Sequence, residues 1–402
     1  MLIFGGGMST GPSAEAAARE ATAQARRSFG ETTPKLALVF ASMSYEDIAS
    51  AARAVREVAG SDVQIVGGSS GACVLGPQGV AAHGVSVVLL GGDDLLVTAR
   101  AIRVNGPELV EIVPATQEIA RAADEAAKDG FEHHVCLVFA PAIDVDGEAL
   151  VAAIRKGAGT RAQLAGGLIG NEMLPERQQV FFGDELHDDK VIVVGVFTRK
   201  PVGIAGRHGL RAVGPIRTVT RADGPVLYEL DRRPAAAVWL EDARRAGATP
   251  PKEASDVAPF LAYHYQLGMA DSPNSETQGA ELVVRAPYRI QSDGSVTLSG
   301  SIGEGRRVRV MNASRKDLLR ASTSAAADAV MRAGGHVAGA LVLACSARFV
   351  ALGDEFTEET ALIHHRVAAP IGGACVYGEI AKSERDVDAF FNTTVVVVAF
   401  GA

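Results

Sequence analysis

No stretch of this chain approaches the roughly 20 consecutive apolar residues that a membrane-spanning helix needs; its apolar runs are short and interrupted. Lys and Arg form no long cluster and the formal net charge is −8, which disfavours nucleic acid and anionic membrane as partners. One stretch departs from this balance. Between Lys190 and Ala222 seven basic residues occur without a single Asp or Glu, a run that reads as a solvated face between domains. Cysteine is scarce: Cys73, Cys136, Cys345 and Cys375 are widely separated and form no CxxC pair, which fits reduced, mostly buried thiols. Leu2–Phe4, followed by glycines, is too short for the apolar segment of a signal peptide. The expectation is a soluble, cytoplasmic protein.

The common enzyme signatures are missing as well. There is no GxxxxGK[ST], HExxH or GxSxG, and GGGMSTG at Gly5–Gly11 misses the last glycine of a dinucleotide fingerprint. Asp144 and Asp146 precede a helical stretch without the later ligands of a calcium loop, so Asp146 reads as a helix cap.

What is present is the texture of a folded α/β protein: 48% hydrophobic and 21% charged residues over 402 positions, too long for one ordinary core. A helix is predicted over Ser13–Phe29, stopped by Gly30. Leu36–Ala41 (LALVFA) is apolar throughout, the mark of a strand covered on both faces. Ser44 with Asp47 predicts a capping box for a helix running to Ala59 and closed by Gly60. Val63–Val66 then enters a glycine turn, VGGSSGACV, and Val85–Leu90 is a further strand.

The same order returns with Val135–Ala140, a helix over Asp146–Lys156, the turn LAGGLIGNEM (Leu164–Met173) and Val191–Phe197. It returns again with Leu341–Ala344, a helix over Glu358–Arg366, IGGACVYGEI (Ile371–Ile380) and Val395–Phe400. This predicts an internal repeat of strand-helix-strand-strand units with a period of about 60 residues. Between the second and third copies lie a helix at Pro234–Arg245, polar loops at Gly247–Pro259 and Asp271–Glu281, and antiparallel strands at Leu282–Val284, Thr297–Ser299 and Val308–Met311. An amphipathic helix follows at Ala321–Ala333. The predicted fold is mixed α/β in two domains, 1–222 with two copies and 223–402 with one.

The glycine turns, with Leu298–Gly305 (LSGSIGEG) as a fourth, are predicted to converge on a cleft. Gly372 and Gly373 can adopt positive φ, and a row of main-chain N–H groups there would suit a carboxylate or phosphate. Arg348 offers a planar fork for a carboxylate, or else a buried pair with Glu379; Arg285 has the same two readings. Glu379 suits an ammonium, with Tyr377 on the same side of an extended segment. Ser69 and Ser70 read as hydroxyl donors or turn caps, and Asn392 as a partner of a strand end or a ligand. A nucleophilic role for Ser69 or Ser70 would make the chain a hydrolase of unnamed substrate. His83, His133, His134, His187, His208, His264, His336, His364 and His365 sit in no haem motif, although an axial histidine requires none.

With VFASMSY at Val39–Tyr45, VGGSSGACV at Val66–Val74, LACSAR at Leu343–Arg348, GACVYGEI at Gly373–Ile380 and FFNTTVVVV at Phe390–Val398, the chain resembles the FIST domain family, in which N- and C-terminal FIST regions stand in tandem. The first glycine turn departs from the family pattern: Gly68 replaces a cysteine, Ser70 a threonine and Cys73 a glutamate. The resemblance implies a cytoplasmic sensory module for a small ligand, an amino acid or similar carboxylate metabolite. Its signal would pass to a separate protein such as a kinase or cyclase, with an oligomer left open. Some relatives bind haem and sense nitric oxide, so the resemblance also implies haem as an alternative ligand.

Overall fold

The computed structural model of the chain describes residues 1–104, 109–143, 145–172, 178–249, 264–270, 282–382 and 388–402. Three of its four sheets share one plan. The first runs Leu2–Ser9, Val85–Gly92, Pro34–Ala41, Gln64–Ser69, Val180–Phe182, Glu185–His187. The second runs Leu95–Arg103, Lys190–Thr198, His133–Pro141, Gln163–Ile169, Gly378–Lys382, Asp388–Phe391. The third runs Val202–Arg207, Val395–Gly401, Val337–Cys345, Ile371–Val376, Val74–Gly76, Gly79–Ala81. In each, the third and fourth strands are parallel and every other pair is antiparallel.

The last two strands of each sheet form a hairpin that belongs, by chain order, to another copy. The first copy's hairpin completes the third sheet, the second copy's completes the first, and the third copy's completes the second. The exchange is closed, so no copy has a whole sheet of its own. Equivalent strands begin at Pro34 and His133, about a hundred residues apart. That replaces the period of about 60 read from glycine and strand patterns, which counted part of each copy and overlooked the hairpin and edge strands. The third copy is longer because residues Arg211–Asn312 build the fourth, nine-stranded antiparallel sheet between its first strand and the helix Arg315–Arg332.

The apolar strands are buried on both sides because they separate two cores. Leu36, Leu38 and Phe40 face a central cluster with Val135, Leu137, Phe139, Leu341, Leu343 and Phe400, where the Phe40 and Phe139 rings meet edge-on at 5.6 Å. Ala37, Val39 and Ala41 face outward onto the helices Ala14–Arg26 and Ala49–Ala59. Each buried Leu or Phe stabilises this layering by about 1.5–3 kcal/mol. Alanine-lined helices lie close on the sheet: a Cβ at Gly5 or Gly7 would overlap the carbonyl oxygens of Ala25 or Ala21. The GGGMS segment is therefore a strand under a helix.

Several local expectations change. The glycine pairs lie inside strands: Gly67, Gly166 and Gly373 have φ of +134°, +151° and +154°, and a Cβ on any of them would overlap the carbonyl oxygen of Val39, Val138 or Val342 on the parallel neighbour. Ser44 does not cap a helix; the helix begins at Ala49, and Asp47 accepts from the Ala49 and Ser50 N–H groups. Ser13 and Asp146 are side-chain caps, while Asp144 lies outside the described residues. Helix Arg315–Arg332 starts earlier than Ala321 because Ser314 and Asp317 form a capping box. Residue 222 falls within strand Arg217–Asp223. Of the polar loops, 250–259 and 271–281 lie outside the described residues.

Gly373→Ala should lower unfolding stability by about 3 kcal/mol, combining a disfavoured φ with a backbone clash. Gly334→Ala, at φ +92° with nothing within 4 Å of its Cβ, should cost about 1 kcal/mol. Denaturant unfolding of the two variants separates the effects; equal losses would show that the strand clash is relieved by backbone movement.

Candidate functional site

Because each parallel strand pair ends on the same side of the central core, the segments that leave the glycine strands meet. The Gly71 N–H donates to the Cys375 carbonyl at 2.7 Å, the Tyr377 N–H to the Leu168 carbonyl at 2.7 Å, and the Ser69 N–H to the Gln179 carbonyl at 2.9 Å. These three bonds join copy one to three, three to two, and one to two. Only glycine fits between them: a Cβ on Gly170 would overlap the Gly71 Cα, and one on Gly71 the Ser346 Oγ.

Side chains repeat the pattern. Ser69 Oγ donates to the Gly170 carbonyl at 2.6 Å, and Ser70 Oγ to Glu172 Oε1 at 2.7 Å. The Tyr377 hydroxyl donates to Asn171 Oδ1 at 2.7 Å. Ser69, Ser70 and Asn171 are buried, whereas Tyr377 and Glu172 are half-buried and give the cluster an outer edge. Tyr45 stands nearby, its hydroxyl donating to the Gly11 carbonyl and its ring 4.0 Å from that of His83. Burial first, and then the charge of Glu172, hold the Tyr45 phenol above its ordinary range. His83 in turn shares a 2.7 Å hydrogen bond with Ser44.

Ser69, Ser70 and Tyr377 are thus brought together from the sequence candidates. Gly372 and Gly373 lie earlier in the strand Ile371–Val376 that leads into Tyr377, and serve close packing. Asn171 and Glu172 were missed; they follow LAGGLIG directly, at the positions that Ala72 and Cys73 hold after the first glycine pair, and superposing the copies would have drawn attention to them. Ser70 is paired with a carboxylate rather than an imidazole. LSGSIGEG belongs to the fourth sheet, where Ser301 Oγ donates to Asp146 and the Ser301 carbonyl accepts from Arg285.

Arg348 is elsewhere and fully engaged. Its side chain is wholly buried: Nε and Nη2 grip Glu359, at 2.6 Å for the shortest bond, Nη2 also reaches Ser322 Oγ and the Leu318 carbonyl, and Nη1 donates to the carbonyls of His208 and Thr393. The buried pair is therefore with Glu359, replacing Glu379 as the structural partner read from sequence. Arg285 is likewise buried, donating to Glu148 and to the carbonyls of Val284, Ser301 and Phe390. Burial pulls its guanidinium down to about 10.

Glu379 is fully buried; Oε2 accepts from the Thr394 N–H at 3.2 Å, and Oε1 has no hydrogen-bond partner among the described residues. Burial raises its carboxyl well above the ordinary range, against smaller opposing effects of the Thr394 N–H, the Cys345 thiol and the Arg348 charge. The Asn392 amide is buried and neither of its atoms has a hydrogen-bond partner among the described residues. Cys73 and Cys375 are buried free thiols with sulfurs 3.0 Å apart.

Two histidines are held down to about 4, chiefly by burial: His134, whose Nε2 lies 3.4 Å from Cys136 Sγ, and His208, whose Nδ1 accepts from the Leu210 N–H. His208 borders a charged cleft and His264 a hollow of about 20 Å³, far below the ~300 Å³ of a ligand pocket. The hollow beside His264 is too small for a haem.

The FIST N domain model matches residues 35–233 and the FIST C domain model residues 235–382. The chain belongs to the FIST family. FIST domains are small-ligand sensory domains of signal transduction. The two matches meet beside helix Ala235–Arg245, and the hairpin Val74–Ala81 of the FIST N region pairs with the strand Ile371–Val376 of the FIST C region. No curated protein matches the chain significantly. The crystal structure of cyanuric acid hydrolase from A. caulinodans aligns over 100% of both chains at 11% identity and a TM-score of 0.33, too distant a likeness to bear on function. Among the described residues, no helix is long and apolar enough to cross a membrane.

Arg348→Ala would leave Glu359 buried and unpaired, and should cost about 3–5 kcal/mol of stability, read by denaturant unfolding; a loss under about 1 kcal/mol would show water entering to solvate the acid. Glu379 gives a pH signature. Its folded value is raised above the ordinary 4.5, so its contribution is complete below pH 4.5 and is lost as pH rises through the folded value. Glu379→Gln should therefore gain in Tm over the parent as pH rises from 4.5 to about 8; parallel Tm curves would count against a neutral buried acid.

Proposed function

We propose that this FIST protein binds a small polar metabolite, an amino acid or similar small carboxylate, at the outer edge of the three-copy junction, and relays occupancy to a separate signalling protein. The observation that carries this reading is the pair of hydrogen bonds Ser70–Glu172 and Tyr377–Asn171, side by side and each spanning two copies. Glu172 is suited to an ammonium, and the hydroxyls of Ser70 and Tyr377 to a carboxylate. A ligand that competes for Glu172 or Asn171 exchanges a contact between copies for a contact to itself, which gives occupancy a structural readout. Arg348, with its donors all committed to protein acceptors, is assigned to the scaffold rather than to the ligand.

Isothermal titration against an amino-acid panel tests the reading. Binding of at least one member should weaken about 10-fold or more in Glu172→Gln and in Tyr377→Phe, the loss of one hydrogen bond each, charge-assisted at Glu172. Flat heats across the panel, or binding indifferent to both changes, would remove this site from consideration.

A further inference from the structure

The acid-free basic run has no part in the junction. Two of its members, Arg207 and Arg211, instead line a cleft of about 470 Å³ against the helix Arg315–Arg332, which contributes Asp317, Arg320, Ser324 and Asp328. That volume lies within the range of small-molecule sites. The two walls are firmly set. Gly209, at φ +78°, packs so closely on the first turn of the helix that a Cβ would come within 2.8 Å of the Asp317 carbonyl oxygen. The His208 carbonyl is held by buried Arg348 at 3.0 Å.

The charges in this cleft do not cancel. Asp317 Oδ2 is occupied by the Ser314 hydroxyl and N–H as a helix cap. Arg211 and Arg320 both turn to the remaining Oδ1, at 2.7 and 3.5 Å. One carboxylate oxygen thus faces two guanidinium groups, and Asp328, the other acid of the lining, is engaged by Arg207. The Arg211 and Arg320 side chains remain 65% and 57% exposed. A guanidinium has five N–H donors in a fork that matches carboxylate and phosphate oxygens, so one shared oxygen leaves most of this capacity directed elsewhere. We propose that the cleft binds the oxyanion of a small multiply charged metabolite, a phosphate monoester or a dicarboxylate, gripped between Arg211 and Arg320.

The full-length protein is titrated separately with inorganic phosphate and with succinate, following amide chemical shifts and Tm. Saturable binding in the millimolar range is expected for at least one, weakening several-fold in 0.5 M NaCl as exposed charges are screened. The preferred anion assigns the group. The double variant Arg211→Gln, Arg320→Gln should bind about 10-fold or more weakly while keeping the parent Tm without ligand to within a few degrees, and Arg245→Gln, a similarly exposed arginine on another helix, should bind as the parent does. No saturable response to either anion, undiminished affinity in the double variant, or an equal loss in Arg245→Gln would overturn the proposal.

Discussion

Three strand pairs can end at one place only if the sheets that carry them close around a common core, and here that closure is made by exchange. Each six-stranded sheet takes its final hairpin from another copy, and the hydrogen bonds from Gly71, Tyr377 and Ser69 tie the strand ends into a ring. The glycines follow from this constraint. Backbone passes backbone at separations where a Cβ has no room, so residues that read as an anion-binding turn are needed first to let the sheets meet.

Beneath the ring lies a second layer of polar groups that are buried for structural reasons. Arg348 gathers Glu359, Ser322 and three carbonyls from separate segments. Such a node contributes less net stability than its number of bonds suggests, because desolvation offsets much of the attraction. It does define one arrangement, since losing any partner leaves a buried donor or acceptor unsatisfied. Arg285 does comparable work where the fourth sheet meets the helix Gly147–Ala158, through Glu148 and the Phe390 carbonyl.

Much of the fold was legible in the chain. Runs such as LALVFA and VCLVFA announced doubly covered strands, and Ser13, Asp146 and Gly60 marked helix ends where they occur. The period was misread because the exchanged hairpins are short and their partners lie in another copy, so no local pattern signals the pairing. The site was legible in part. Ser69, Ser70 and Tyr377 carry hydroxyls beside glycine pairs, which sequence can flag. Arg348 read either as a ligand anchor or as the buried partner of Glu379, yet α-helix Phe356–Val367 supplies the acid it holds, Glu359. Helical spacing gave no hint of that inward-facing carboxylate, and Asn171 and Glu172 stand out only when the copies are superposed.

The closed exchange of hairpins also bears on how the molecule is made. On the ribosome the hairpin Val74–Ala81 of the first copy emerges well before the strand that receives it, Ile371–Val376, and before that strand's neighbours Val337–Cys345 and Val395–Gly401. Until those residues are synthesised, the early chain carries unmated strand edges of the kind that recruit chaperones or stray partners. A stretch far downstream in the chain is therefore the one that seals the first copy's hairpin.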